Sequence, residues 1–140
     1  IYDIGTKKMN LRFHHIGVAC EDIENTLKFI DNTFNIIHKT EIIQHDNHGV
    51  KACLVTNNDG TNIELVSGVT VERFVKKKQF LYHNCWEVEN INTSINKFVE
   101  NGAMLISEPK SSELFDNRRV AFLLTDIGIL ELLEKRIIHD

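Results

Sequence analysis

The second half of this chain restates the first, and that repeat limits the possible folds more than any other feature. His15, Ile23 and Leu27 stand 68 positions before His83, Ile91 and Ile95, and Ile63-Glu64-Leu65 stands 67 before Leu130-Glu131-Leu132. Between these anchors, Ala52-Cys53-Leu54-Val55-Thr56 matches Ala121-Phe122-Leu123-Leu124-Thr125. A single match could come from strand composition, but four in order indicate a duplicated module.

Each copy reads as βαβββ. In the first, Phe13-His14-His15-Ile16-Gly17-Val18-Ala19-Cys20 is a strand, and Ile23, Leu27, Ile30 and Phe34 recur at helical spacing behind the acidic Glu21-Asp22. Strands are then expected at Lys39–Ile43, Val50–Thr56 and Thr61–Val66, separated by polar turns. In the second, Leu81–Val88 is a strand and Asn90–Asn101 a helix stopped by Gly102. The strands Ala103–Ile106, Arg119–Leu124 and Ile129–Leu133 follow. The fold class is therefore α+β, two tandem βαβββ modules over 11–66 and 80–135. A short amphipathic helix in 67–79 joins them as an ordered bridge, with Lys76-Lys77-Lys78 at its C-terminal end, where cations are favoured. Residues 1–10 read as a leader or an appended remnant and 136–140 as a charged tail.

Composition narrows the function. At 140 residues with 42% hydrophobic content, the chain can bury a core of this size. A net charge of −4 offers no basic field for nucleic acid or anionic lipid, and no run approaches a membrane span. Cys20, Cys53 and Cys85 are odd in number and set in apolar runs, so they read as reduced core residues, which points to the cytoplasm.

The repeat also places chemistry. Strand alternation puts His14 with Ile16, Val18 and Cys20 on a greasy face, and His15 with Gly17 and Ala19 on a face with room for something other than protein. Glu64 and Glu131 each interrupt an apolar last strand. If Ile63, Leu65, Leu130 and Leu132 face the helices, both glutamates share the other side with His15 and His83. Two carboxylates on half-buried strands need a cation, because desolvating each without a partner costs several kcal/mol. Two imidazoles with two carboxylates suit a divalent ion such as Zn, Co, Ni, Mn or Fe(II), with positions left for water or substrate oxygens.

The segments HHIGVA with EDIENTLKFI, IELV, VERFVKKK, YHNCWEVENI, FVENGAMLISEPK, NRRVAFL and LELLEK resemble the vicinal-oxygen-chelate superfamily, which contains glyoxalase I and the bleomycin-resistance proteins. Within it they are most similar to the methylmalonyl-CoA epimerases. The resemblance covers about residues 11–135. It implies paired modules curled around a metal held by His15, Glu64, His83 and Glu131, commonly in a homodimer. It also implies a small-molecule substrate such as an acyl-CoA, and an enolate formed by proton removal and stabilised at the metal. Glutamate is the expected base, here Glu131 or Glu64. The relatives' second proton-transfer glutamate falls where this chain has Val50-Lys51-Ala52-Cys53, and their AFLHP is Ala121–Thr125 here. Lys51, Glu87, Arg118 and Arg119 are the candidate substrate contacts, Lys51 as the replacement acid and the paired arginines as anion holders. Two other readings belong to the same resemblance: a lactoylglutathione lyase of the glyoxalase I type, and a binding protein without turnover. The turn His45-Asp46-Asn47-His48 is expected to be a polar loop, and His14 to have no part in the site.

Overall fold

The structure is a computed structural model that describes residues 8–45 and 48–136. The first module runs β1 (Arg12–Ala19), α1 (Ile23–Thr33), β2 (Ile36–Lys39), β3 (Ile43–His45), β4 (Val50–Asn57), β5 (Asn62–Ser67). After a 3-10 turn at Val69–Val71 and α2 (Glu72–Lys76), the second runs β6 (Leu81–Val88), α3 (Ile91–Glu100), β7 (Met104–Ser112), β8 (Arg118–Thr125), β9 (Gly128–Glu134). The repeat extends to the helix caps. The Asp22 carboxylate accepts from the Glu24 N–H at 2.9 Å, and Asn90, 68 residues later, accepts from the Thr93 N–H at 2.9 Å.

The nine strands among the described residues form one sheet, ordered β2-β4-β5-β1-β6-β9-β8-β7, with β3 also paired to β4. Each module pairs its first and last strands in parallel, β1 with β5 and β6 with β9. The modules meet where β1 and β6 run antiparallel, with His15 opposite Cys85 and Gly17 opposite His83. This seam makes the first strands of both copies neighbours at the middle of the sheet, so whatever they carry on one face comes together.

The helices cover the other face. Ile23 and Ile30 of α1 pack with Cys53, Val55, Ile63 and Leu65, and Ile91 and Ile95 of α3 with Ala121, Leu123, Leu130 and Leu132. With Ile63, Leu65, Leu130 and Leu132 committed to the helices, alternation turns Glu64 and Glu131 the other way. Cys20, Cys53 and Cys85 are buried and free. Trp86 packs against the α3 cluster and donates its indole N–H to Asn84 Oδ1 at 2.7 Å.

Several expected boundaries move. The strand placed at Lys39–Ile43 is two strands, Ile36–Lys39 and Ile43–His45. Between them the Thr40 hydroxyl accepts from the Leu54 N–H at 2.9 Å and substitutes for ladder pairing. The strand placed at Ala103–Ile106 continues to Ser112, with register shifts against β8 that hide its alternation. The bridge is clamped to the first module. Gly68 has φ +131°, and a Cβ there would lie 2.7 Å from the Gly49 carbonyl oxygen. The Thr70 hydroxyl donates to the His48 carbonyl at 3.2 Å. No helix among the described residues is long and apolar enough to cross a membrane. Residues 1–7 of the expected leader, 137–140 of the tail, and Asp46 and Asn47 lie outside the described residues.

Candidate metal centre

The seam and the two last strands bring His15, Glu64, His83 and Glu131 together, each less than a tenth exposed. His15 Nε2 lies 3.3 Å from Glu64 Oε1 and 3.0 Å from Glu131 Oε1, and His83 Nε2 lies 3.1 Å from both oxygens. The two Nε2 atoms are 3.1 Å apart. Four atoms so spaced surround a point about 2 Å from each, the length of zinc–imidazole and zinc–carboxylate bonds.

The hydrogen bonding fits a cation better than a closed ion-pair network. Glu131 Oε1 is buried with no hydrogen-bond partner among the described residues, although two ring nitrogens stand at ion-pair distance. The two Nε2 atoms instead meet each other at 3.1 Å, so the four side chains crowd one point that a cation would fill. Without a cation, protons take its place. Burial pushes the His83 imidazole down, but the Glu131 and Glu64 carboxylates beside it outweigh burial and raise the ring to about 9. His15 is raised by the same balance, and Glu131 and Glu64 are held below the usual carboxylate range, burial being overcome by both imidazoles. Cys85 Sγ also lies near His14 and His15. Burial first, then Glu131 and Glu64, push its thiol well up, so it stays protonated and is a poor ligand.

His14 departs from the alternation argument. A register shift between Phe13 and His15 in the β1–β6 pairing turns both imidazoles the same way, and their Nδ1 atoms are 2.8 Å apart. Burial, with His15 and Arg118 adding to it, lowers His14 to about 4, so its neutral ring can accept the Nδ1–H of a His15 that ligates through Nε2. His14→Phe keeps the edge contact to Phe115, whose ring centroid is 5.4 Å away, and removes the acceptor. The expected result is a loss of about 10–100-fold in metal affinity by chelator competition. Unchanged affinity would refute this role.

The room expected beside His15 is also taken. A Cβ on Gly17 would lie 2.0 Å from His83 Cε1, so the gap over Gly17 holds the His83 ring itself. Space for a ligand lies elsewhere, in a cavity of about 550 Å³ that Glu64 and Glu131 line together with Tyr82, Phe122, His45 and His48. The turn expected to be a plain polar loop thus turns both of its histidines inward. His45 is 7% exposed and pairs with Val50 across the β3–β4 ladder, a register the sequence period does not show.

None of the four candidate substrate contacts lines this cavity. Lys51 is exposed, one step out of phase with the inward Val50 and Ala52. Arg118 is paired with Glu87 at 2.9 Å and Arg119 with Glu134 at 2.7 Å. Arg118 and Glu87 line a separate polar cleft of about 500 Å³ with His14 and Asn62. The paired arginines diverge because neighbours on a strand face opposite ways.

Comparisons with known proteins place the chain in a family. Residues 14–122 match the model of the Glyoxalase/Bleomycin resistance protein/Dioxygenase superfamily. A mitochondrial methylmalonyl-CoA epimerase of Bos taurus is 30% identical over 103 residues, covering 69% of this chain. The match spans 58% of that relative's length. The crystal structure of methylmalonyl-CoA epimerase from Mycobacterium tuberculosis superimposes with a TM-score of 0.77 at 16% identity, over 90% of this chain and 89% of that one. A variant of the Streptomyces coelicolor epimerase in complex with 2-nitronate-propionyl-CoA gives 0.70 at 18% identity, over 93% and 100%. At these identities the two structures speak for the fold.

Proposed function

Because the chain belongs to the glyoxalase/bleomycin resistance protein/dioxygenase superfamily, we propose that it is a metal-dependent epimerase or isomerase of a small acyl thioester, with methylmalonyl-CoA the first substrate to test. The observation that carries this reading is the buried His15, Glu64, His83, Glu131 cluster opening on a 550 Å³ cavity. Its similarity to the bovine epimerase supports the substrate class.

In this reading the four side chains hold one divalent ion, Zn, Co, Ni, Mn or Fe(II), which when bound draws charge from an oxygen where it develops in the transition state. The rest is the work of the chain. Tyr82 and Phe122 wall the cavity and limit water around the reacting carbon. Glu64, with the more exposed side chain of the two carboxylates, is the one placed to take the α-proton at a carboxylate oxygen, while Glu131 is the more deeply held ligand. Ala52 offers no acid or base, and Lys51 points away from the cavity. The homodimer expected of the family belongs to the same proposal.

The test is elemental analysis of protein purified without chelators, with deuterium incorporation at C2 of methylmalonyl-CoA in deuterated water followed by NMR. About one divalent ion per chain is expected, lost in His15→Ala and Glu131→Ala, with exchange lost by about 10³-fold or more. A folded protein that takes up no metal on reconstitution sinks the proposal. Metal without exchange, but with lactoylglutathione formed from methylglyoxal and glutathione, would move it to the lyase reading. Metal with neither activity would leave a binding protein.

A further inference from the structure

We propose that His45 and His48 form a second proton-transfer group of this cavity, serving the face of the substrate carbon that Glu64 does not. The inference rests on the epimerase reading above and adds residues to it. Inverting a carbon requires proton removal on one face and delivery on the other, and Lys51-Ala52 leaves the second position without a group inside the cavity.

The two imidazoles are in the right place for it. His45 ends β3 opposite Val50, a cavity-lining residue, so its ring lies on the inward face. The His45 and His48 rings are 5.7 Å apart between centroids, and the His48 N–H donates to the His45 carbonyl at 3.1 Å. His48 stands edge-on to Phe122, centroids 6.2 Å apart, and Phe122 in turn meets His83 at 5.6 Å, so one phenyl ring bridges this pair and the metal centre. Gly68 and Thr70 clamp the turn from the bridge side.

What points to chemistry is a hydrogen-bond deficit. Nε2 of His45 and Nε2 of His48 are both buried, and neither has a partner among the described residues. A buried polar atom left unpaired costs about 1–3 kcal/mol, and two side by side on a cavity wall are satisfied most simply by what enters the cavity. His48 is also held below its ordinary value by burial and then by His45, so its ring is neutral and able to accept a proton.

The step balances. The C–H bond α to the thioester carbonyl breaks, its proton passes to an unprotonated Nε2 of the pair, and its electron pair moves to the carbonyl oxygen. The electron pair then returns from that oxygen to the carbon, and the new C–H bond forms on the other face with the proton of a Glu64 carboxyl that was protonated in a preceding turnover from the opposite epimer. The products are the opposite epimer, the Glu64 carboxylate and an imidazolium, and the reverse reaction exchanges the two roles.

The experiment treats (2R)- and (2S)-methylmalonyl-CoA separately in deuterated water with metal-loaded wild type, His45→Gln and His48→Gln. Metal content and melting temperature are measured on each, and a variant that keeps both is the one to read. The expected result is asymmetric: exchange from one epimer falls by about 100-fold while the other still incorporates deuterium without inversion. A merely structural role would slow both epimers alike, and that outcome, or exchange at the wild-type rate, overturns the proposal while leaving the epimerase reading intact. Absence of exchange in the metal-loaded wild type overturns both.

Discussion

Gly17→Ala will strip the protein of its metal and destabilise it by about 3 kcal/mol or more, out of proportion to the one methyl group added. The new Cβ would sit 2.0 Å from Cε1, 2.2 Å from Nδ1 and 2.4 Å from Nε2 of His83. No tilt within one rotamer relieves three overlaps of that size, and β1 cannot retreat because it is hydrogen-bonded to β5 on one side and β6 on the other. The ring has to leave. Two buried carboxylates then share a single imidazole, which adds a desolvation cost to the steric one. Chelator competition should show metal affinity reduced by more than 100-fold, and urea denaturation an earlier midpoint at unchanged slope. A double-mutant cycle isolates the cause, since in a His83→Ala background the same Gly17→Ala change should cost less than about 1 kcal/mol. A large cost in that background would place the clash elsewhere in the seam.

That glycine shows where the amino-acid sequence is a sufficient guide and where it is not. The duplication could be read directly, because two copies of one module leave their anchors at a fixed offset, and the offset carried the four cluster residues with it. Glu64 and Glu131 could be oriented because their neighbours are apolar and alternation is reliable in a regular strand. Gly17 and Ala19 did mark a gap. Its occupant, however, comes from the partner strand across the seam, and pairing between strands 68 residues apart leaves no local pattern. His14 was lost for a related reason, since one irregular step in the β1–β6 ladder reverses the side chain and periodicity assumes no such step. Lys51 lies exposed outside the cavity, and Glu87 and Arg118 pair with each other beside a separate polar cleft, placements that depend on strand pairing and not on local sequence. His45 and His48 looked like an ordinary polar turn because composition does not say which way a turn folds.

Metal loading near neutral pH will release at least one proton per ion, so that apparent affinity rises by about tenfold or more per pH unit. The sign follows from the imidazoles. In the metal-free protein His83 is raised from 6.5 to about 9, so at pH 7 its ring carries a proton that coordination through Nε2 must displace, and His15 is shifted in the same direction. Calorimetry in buffers of different ionisation enthalpy counts those protons directly. The stability of the metal-free protein moves the opposite way. A raised imidazole contributes fully below its unfolded value of 6.5, and that contribution disappears as pH climbs through about 9 and the carboxylates face neutral rings. Glu64 and Glu131, held below 4.5, contribute above that value and lose it on acidification. The metal-free chain should therefore be most resistant to urea between about pH 4.5 and 6.5, and the gain from added metal should widen steadily on the alkaline side. Release of no protons would mean that the rings are already neutral in the empty cluster. Both carboxylates would then be ionised beside neutral rings, and the alkaline loss of stability would vanish.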